Sequence, residues 1–127
     1  MTAPPVRIGV VGLGYWGPNI ARNFDAIPGC ELAWCCDSAS EARERFAQLV
    51  PGVPIADDIG ELLGDPALDA VALATPVATH GELAVRVLEA GKHCIMEKPR
   101  AQSVAGTELA VTAARERGRV LMVGHLL

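Results

Sequence analysis

The chain of 127 residues has the length of one ordinary domain, and half of its residues are apolar while 20% are charged, as in proteins with a buried core. Its formal net charge is −4 and it has no basic run, which argues against nucleic acid or an anionic membrane surface as a partner. No apolar run approaches the roughly 20 residues of a membrane-spanning helix, and we expect a cytoplasmic protein.

The first predicted element is a strand that ends in a glycine-rich turn. Residues 6–19 read VRIGVVGLGYWGPN, an apolar run that leads into Gly12, Gly14 and Gly17 and then into a helical pattern. In a G-x-G-x-x-G turn the first glycine permits the tight turn, the second lets the backbone approach a pyrophosphate, and the third lets the helix pack on its strand. Pro18 suits the first turn of that helix, whose free N–H groups would face the phosphates. The motif predicts dinucleotide binding, and a glycine-rich turn that binds nothing is the alternative.

The second predicted strand, Glu31 to Cys36, is followed by an aspartate. Asp37 lies 20 residues after Gly17. In a βαβ unit, an acidic residue at this place accepts hydrogen bonds from the adenosine ribose hydroxyls, and its charge repels a 2′-phosphate. The alternative is a helix cap, but Ser38 and Glu41 already form a capping box, which leaves Asp37 free. We therefore predict NAD as the cofactor, with NADP the less favoured one.

Helices and strands are predicted to alternate along the rest of the chain. A first helix is expected to end before Pro28, and a second one, 40–49, has Ala42, Phe46 and Leu49 on its apolar face. Further helices are predicted at 57–63, 79–90 and 103–117, and further strands at 53–56, 69–74, 93–96 and 120–123. This alternation predicts an α/β fold in one domain over residues 1–127: a doubly wound parallel sheet of Rossmann type, with about six strands and helices on both faces.

Several residues with chemical potential follow the predicted strands. The carboxyl ends of parallel strands lie at the same edge of a sheet, where ligands bind. Five strand ends have such residues: Gly12 to Gly17, Asp37, Thr75-Pro76, Glu97-Lys98-Pro99, and His125. This coincidence favours a ligand site over a purely structural glycine turn.

Lys98 is the strongest candidate for catalysis. At a strand end beside a nicotinamide, a lysine can hydrogen-bond a substrate hydroxyl or carbonyl, and the cationic nicotinamide would lower its pKa and favour proton exchange. A solvated surface lysine is the alternative, and the spacing does not decide between them. His80 and His125 are weaker candidates, since each can be a histidine whose hydrogen bonds are satisfied at a helix start or at the sheet edge.

No metal site is predicted. The four cysteines have neither C-x-x-C spacing nor paired histidines, so we expect them to be small buried side chains. Asp57 and Asp58 adjoin a predicted helix start, where they are expected to act as caps.

Four ordered stretches resemble one protein family. They are GLGYWGPN at 12–19, ATPVATH at 74–80, EAGKHCIMEKP at 89–99 and VGH at 123–125. They closely resemble the nucleotide-binding domain of the glucose-fructose oxidoreductase, inositol dehydrogenase and MocA family, over the whole chain. The resemblance implies an NAD(P)-dependent oxidoreductase that passes hydride between nicotinamide C4 and a carbinol carbon of a sugar, polyol or sugar derivative. Within the family, the YWGP residues are similar to those of members acting on nucleotide-linked or amino sugars.

The resemblance also implies roles for individual residues. Those at the pyrophosphate would be Gly12, Gly14, Tyr15, Trp16 and Gly17, with Asp37 at the adenosine ribose. Those at the nicotinamide ribose would be Thr75, Pro76 and His80, with Glu97 and Lys98 beside the nicotinamide and the substrate.

The sequence departs from the family pattern at three places. Val77 stands where many relatives have asparagine, which removes a side-chain hydrogen bond to the cofactor, and Arg100 replaces a usually apolar residue. Relatives continue beyond the VGH stretch into a sheet-rich second domain, which supplies most of the substrate pocket and a histidine or tyrosine acid/base partner, whereas this sequence stops at Leu127.

The chain is therefore expected to be a cofactor-binding domain with little or no turnover of its own, which leaves its status as an enzyme open. A sugar-like substrate would bind once the second domain is supplied, because water must be excluded from the site. A non-catalytic nucleotide sensor or regulatory module is the alternative function. A further one is a lone domain that completes its site as a homo-oligomer.

Overall fold

Strands and helices alternate in the computed structural model, which describes residues 4–14, 17–76, 79–97 and 104–124. The strands are β1 (Val6–Val11), β2 (Cys30–Cys36), β3 (Ile55–Ala56), β4 (Ala70–Leu73), β5 (His93–Glu97) and β6 (Leu121–Gly124). The helices are α1 (Gly17–Ala26), α2 (Ser40–Leu49), α3 (Ile59–Leu63), α4 (His80–Glu89) and α5 (Val104–Arg117). The α/β fold predicted from periodicity is confirmed.

The six strands form one parallel sheet in the order β3-β2-β1-β4-β5-β6. The chain proceeds outward from β1 to β3 on one side, and then returns to β4 and proceeds outward to β6 on the other. Val11 at the end of β1 is level with Cys36 of β2 and Leu73 of β4. The strand order therefore reverses between β1 and β4, which is where a doubly wound sheet opens a crevice for ligands.

Both faces of the sheet are buried. The adjacent β1 residues Val10 and Val11 belong to different apolar clusters, as the two-residue period of a strand requires. The cluster around Val10 includes Phe46 of α2, and the cluster around Val11 includes Leu62 of α3 and Val87 of α4. The helices thus cover the sheet on both sides, which agrees with the continuous apolar runs of its central strands.

Strand β6 forms one end of the sheet and is apolar on its outside. Val120, just before the strand, is 59% exposed, and Met122 and Val123 within it are 57% and 37% exposed. On α5, Leu109 is 65% exposed. Large apolar side chains therefore reach solvent at this end of the sheet.

The predicted apolar face of α2 is wrong at its last residue. Ala42 and Phe46 are buried, but Leu49 is 53% exposed. Val50 is buried in its place, and its N–H donates to the carbonyl of Phe46 at the helix end. The change of backbone direction at the C-cap turns Val50 toward the core and leaves Leu49 in solvent.

The predicted capping box of α2 is also wrong. The helix begins at Ser40, and its N-cap is Ala39, which has no side chain able to cap. The N–H of Ala39 instead donates to Oδ1 of Asp37 at 2.8 Å. A carboxylate that bonds the backbone two residues ahead forms an Asx-turn, and this turn replaces the expected cap. At α3, Asp58 occupies the predicted N-cap position without a side-chain cap hydrogen bond.

The cysteines are mostly buried, as predicted. Cys35, Cys36 and Cys94 are buried free thiols, and Cys30 is half-buried. Burial raises the pKa of each of the three buried thiols to about 12. Within the described ranges, no group of His, Cys, Asp or Glu side chains could hold a metal ion, and no helix is long and apolar enough to span a bilayer.

Candidate functional site

The first glycine of the motif makes a tight turn against the backbone that follows β4. Gly12 has a φ of 101°, a backbone conformation that residues other than glycine rarely adopt. A Cβ there would also lie 2.8 Å from the carbonyl carbon of Ala74. The N–H of Ala74 in turn donates to the carbonyl of Val11 at 2.8 Å. The glycine loop is therefore packed against the end of β4, across the point where the strand order reverses.

The other two glycines differ in what surrounds them. A Cβ on Gly17 would overlap the carbonyl oxygen of Gly12, so α1 can begin this close to the loop only with glycine. A Cβ on Gly14 would meet none of the described heavy atoms within 4 Å. Open space at Gly14, in front of the N-terminus of a ten-residue helix, suits the approach of a pyrophosphate to backbone N–H groups. These surroundings fit a dinucleotide.

Asp37 ties the glycine loop to the end of β2. Its Oδ2 accepts a hydrogen bond from the N–H of Leu13 at 2.7 Å, and the N–H of Gly12 donates to the carbonyl of Cys36 at 2.7 Å. Together with the bond from Ala39, two backbone N–H groups bond the carboxylate. The expectation that Asp37 has no structural task is therefore wrong. A carboxylate offers about four lone-pair sites, so it retains acceptor capacity for a ribose hydroxyl.

Arg43 on α2 supports the same turn, and sequence reasoning did not identify it. Its Nη1 donates to the carbonyls of Asp37 at 2.9 Å and Ser38 at 3.0 Å. Helical side chains point back toward the N-terminus of their helix, so an arginine in the first turns of α2 reaches the loop before it. That direction was the available signal in the sequence.

The loop after β4 brings two threonines together. The Thr79 hydroxyl lies 2.7 Å from the carbonyl oxygen of Pro76 and 2.9 Å from the Thr75 hydroxyl. Thr75 is half-buried and Pro76 is exposed. Thr79, the N-cap residue of α4, was not among the predicted site residues, since its role depends on the turn formed by this loop.

The remaining predicted site residues are described in part or not at all. His80 is the first residue of α4, and Glu97 is the last residue of β5, opposite Gly124 of β6. Both therefore lie at the carboxyl edge of the sheet, with the glycine loop. Lys98, Tyr15, Trp16 and His125 lie outside the described residues, as do Val77 and Arg100.

A sequence comparison decides the family. Residues 6–125 match the profile of the Gfo/Idh/MocA proteins, an oxidoreductase family with an NAD-binding Rossmann fold. The chain belongs to this family. The Gfo/Idh/MocA profile confirms both the resemblance seen in the motifs and the Rossmann fold.

Curated relatives in the family include two inositol dehydrogenases. The chain is 33% identical to the scyllo-inositol 2-dehydrogenase (NAD(+)) of Bacillus subtilis, over 95% of this chain and 36% of that protein. It is 36% identical to the inositol 2-dehydrogenase of Rhodococcus jostii, over 92% of this chain and 32% of that protein. The chain thus spans about a third of the length of these relatives.

Solved structures of similar proteins contain both forms of the cofactor. GenD2 from gentamicin A biosynthesis, in complex with NAD, is 32% identical, with a TM-score of 0.87 over 96% of this chain and 35% of that one. Biliverdin reductase from Synechocystis, in complex with biliverdin and NADP+, is 34% identical, with a TM-score of 0.85 over 94% of this chain and 37% of that one. The chain is an NAD(P)-binding oxidoreductase domain.

Proposed function

We propose that this domain binds NAD in preference to NADP, for an oxidoreductase that transfers hydride between nicotinamide and a sugar, polyol or nucleotide sugar. The observation that carries the proposal is the joint position of the open Gly14 backbone, the start of α1 and the Asp37 carboxylate at the carboxyl edge of the sheet. These groups suit a pyrophosphate and the adjoining adenosine ribose.

The preference for NAD is argued from Asp37. Its carboxylate is held 2.7 Å from the N–H of Leu13, beside the glycine loop. A fixed negative charge there favours ribose hydroxyls, which can donate hydrogen bonds to it, and repels a 2′-phosphate. Since similar proteins bind either cofactor, this local charge is the basis of the proposal.

The catalytic part of the proposal concerns Lys98. It follows β5 in the sequence, and the carboxyl end of β5 is at the same edge of the parallel sheet as the glycine loop. NAD, when bound, supplies a hydride acceptor at C4. Lys98 would hydrogen-bond the substrate hydroxyl and take up its proton, with Glu97 beside it. The nicotinamide ribose would lie against Thr75, Pro76 and His80, and the pyrophosphate near Tyr15 and Trp16.

The substrate class and the setting are proposed from the relatives and from chemistry. The names of the inositol dehydrogenases favour a polyol or sugar. Because the relatives are about three times as long, we propose that residues 1–127 are one domain of a larger enzyme, whose second domain completes the substrate pocket. The four free cysteines are in keeping with a reducing, cytoplasmic location.

Calorimetric titration of the 127-residue chain with NAD+ and with NADP+ tests the cofactor proposal. We expect tighter binding of NAD+, and a ratio of the two dissociation constants that moves toward one in Asp37→Ala, because the repelling charge is gone. Failure to bind either nucleotide would overturn the proposal, and unchanged selectivity in the variant would remove the role of Asp37. Absorbance of the nicotinamide with a panel of sugars and polyols tests turnover; measurable turnover by this chain would refute the need for a second domain.

Substitution of Lys98 separates catalysis from cofactor binding. Lys98→Met should leave the dissociation constant for NAD+ within about twofold, since a loss below about 0.5 kcal/mol is typical of a surface change outside a binding contact. Arg100→Met, two residues away, is the matched control. A large loss of NAD+ affinity in Lys98→Met alone would reassign that lysine to cofactor binding.

A further inference from the structure

We infer that Arg43 is a positioning residue for the adenosine-ribose end of the nucleotide site, acting through the turn that contains Asp37. The inference rests on the proposed function, because it concerns how the domain would read the ribose hydroxyls. Arg43 would not touch the nucleotide. It would fix the backbone from which the Asp37 carboxylate projects.

The contacts of Arg43 converge on two consecutive carbonyls. One nitrogen, Nη1, donates to the carbonyl of Asp37 at 2.9 Å and to that of Ser38 at 3.0 Å. The side chain is half-buried, and its own backbone N–H donates to the carbonyl of Ala39 at 3.1 Å. Hydrogen bonds from a charged donor are stronger than neutral ones, so this guanidinium fixes the turn at residues 37–39 from the side of α2.

The opposite side of the same turn is fixed by the glycine loop and the sheet. The N–H of Asp37 donates to the carbonyl of Ala56 at 3.1 Å, and its carboxylate accepts from Leu13 and Ala39 at 2.7 and 2.8 Å. Every polar group of Asp37 thus has a partner, and Arg43 supplies the one for its carbonyl. Removing that partner would let the turn shift and carry the carboxylate with it.

The guanidinium does not neutralise the carboxylate. Within the described ranges, the ion pairs involve Arg7 and no pair joins Arg43 to Asp37. The bonds of Nη1 go to carbonyl oxygens instead. Arg43 therefore leaves the negative charge of Asp37 available to a ribose hydroxyl. Its role is to hold the turn in place and not to compensate the charge of the carboxylate.

A direct contact with a 2′-phosphate is the competing role, since an arginine near the second strand accommodates that group in NADP-binding domains. The two roles predict different effects of Arg43 on the affinities for NAD+ and NADP+. A positioning residue affects how strongly the 2′-hydroxyl of NAD+ is recognised, although the ligand carries no phosphate there. A phosphate ligand affects NADP+ alone.

The test compares NAD+ with the analogue that lacks the 2′-hydroxyl of the adenosine ribose (2′-deoxy-NAD+). The two differ by one hydroxyl and have the same charge. In the unmodified chain the hydroxyl should improve affinity about tenfold or more, as expected for one hydrogen bond to a charged acceptor. In Arg43→Met the ratio of the two dissociation constants should fall to about twofold or less, and Arg43→Lys, which keeps a charged donor, should restore part of it.

Controls separate positioning from general loss of structure. Arg115→Met removes an exposed arginine from α5, away from the glycine loop and the Asp37 turn, and its ratio should match that of the unmodified chain. In an Asp37→Asn background, Arg43→Met should change the ratio no further, because the acceptor charge through which it acts is gone. Circular dichroism and thermal unfolding without nucleotide establish that each variant is folded. If Arg43→Met does not fold, Arg43→Lys tests the inference instead, and its ratio of dissociation constants should lie between those of the unmodified chain and Asp37→Asn.

The outcomes assign failure to one proposal or the other. If the unmodified chain binds neither NAD+ nor NADP+, the proposed function fails, and this inference falls with it. If it binds NAD+ but the ratio is unchanged in folded Arg43→Met and Arg43→Lys, or if only NADP+ affinity falls, Arg43 is not a positioning residue while the proposed function stands. Absence of any hydroxyl preference in the unmodified chain refutes the inference and, with it, the ribose role of Asp37, while NAD+ binding by the domain still stands.

Discussion

Gly14 and Gly17 are glycines for different physical reasons, although both belong to one motif. A side chain at Gly17 would overlap the Gly12 carbonyl oxygen, which concerns the folded chain itself. A Cβ at Gly14 would meet none of the described heavy atoms within 4 Å, so under the proposed function the need for glycine there would come from the ligand. One substitution should therefore damage stability and the other should damage binding.

Replacing each glycine by alanine tests this separation. Gly17→Ala should lower the free energy of unfolding by about 1–3 kcal/mol, the usual cost of forcing an extra methyl group into a packed site. Gly14→Ala should change it by no more than about 0.5 kcal/mol, yet weaken NAD+ binding, because the methyl group would hold the phosphates away from the backbone. Urea unfolding and calorimetry measure the two effects.

The paired alanine variants also control each other. An equal loss of stability in both would show that Gly14 is constrained by the fold, against the open space seen around it. Full NAD+ affinity in Gly14→Ala would contradict a close approach of the pyrophosphate at this residue.

Among the candidate site residues, positions that depend on local spacing could be predicted, and contacts between residues distant in the sequence could not. The three glycines and Asp37 follow from positions in a strand–turn–helix pattern. The bond from Leu13 to Asp37 spans 24 residues, and no local pattern reveals it. The direction of helical side chains places Arg43 near the loop before α2, but its partners are backbone carbonyls, which have no residue-specific signature.

At the scale of elements, Asp65 links the loop before β4 to two strands at the edge opposite the glycine loop. Its Oδ2 accepts from Nε1 of Trp34 in β2 at 2.9 Å, and its carbonyl accepts from Nζ of the buried Lys92, just before β5, at 2.6 Å. The Trp34 bond is the main cause of a lowered Asp65 pKa, with the Ala67 N–H and the charge of Arg7 contributing. These contacts bind α3 and its loop to the sheet.

Trp34→Phe tests that link through pH. The lowered pKa means that folding favours the ionised Asp65, so its contribution to stability is present above the ordinary carboxyl pKa of about 3.9 and is lost as the pH falls through the folded value. The variant should raise the Asp65 pKa, measurable by NMR titration. Its deficit in unfolding free energy should be largest near neutral pH and shrink in acid. In an Asp65→Asn background the pH dependence of that deficit should vanish; if it persists, the tryptophan acts through packing.

The bounds of the elements were predictable to within two residues, but the hydrogen bonds that begin and end the elements were not. Strand β3 is shorter than predicted and begins only after Pro54, which lacks an N–H, although its carbonyl still accepts from Cys35 at 2.9 Å. At α2 the Asx-turn of Asp37 overrides the capping box. Which of two possible local hydrogen bonds forms at the end of an element therefore depends on where the fold places that end.

At the scale of the whole molecule, the alternation of elements predicts a parallel doubly wound sheet but does not by itself give the strand order. Several orders satisfy the same alternation and the same handedness of crossovers. The order seen here depends on β4 packing beside β1, where Gly12 lies against Ala74. That contact joins residues 62 positions apart, beyond the reach of any local pattern.

The exposed apolar side of β6 has a consequence for how the isolated domain behaves at high concentration. An edge strand offers unpaired backbone N–H and C=O groups, and Met122 and Val123 add apolar side chains beside them. Such an edge is a template for pairing with another copy. We expect reversible self-association of the 127-residue chain, visible by sedimentation velocity as a mass that rises with concentration.

Met122→Lys should suppress this association, because a charged side chain on an edge strand opposes pairing. Leu49→Lys, which removes an equally exposed apolar residue from α2, should not. Equal suppression by both would indicate non-specific attraction. Suppression by Met122→Lys alone would show that the colloidal stability of this domain is set less by its net charge than by one short strand. Binding measurements on the domain would then require moderate protein concentration.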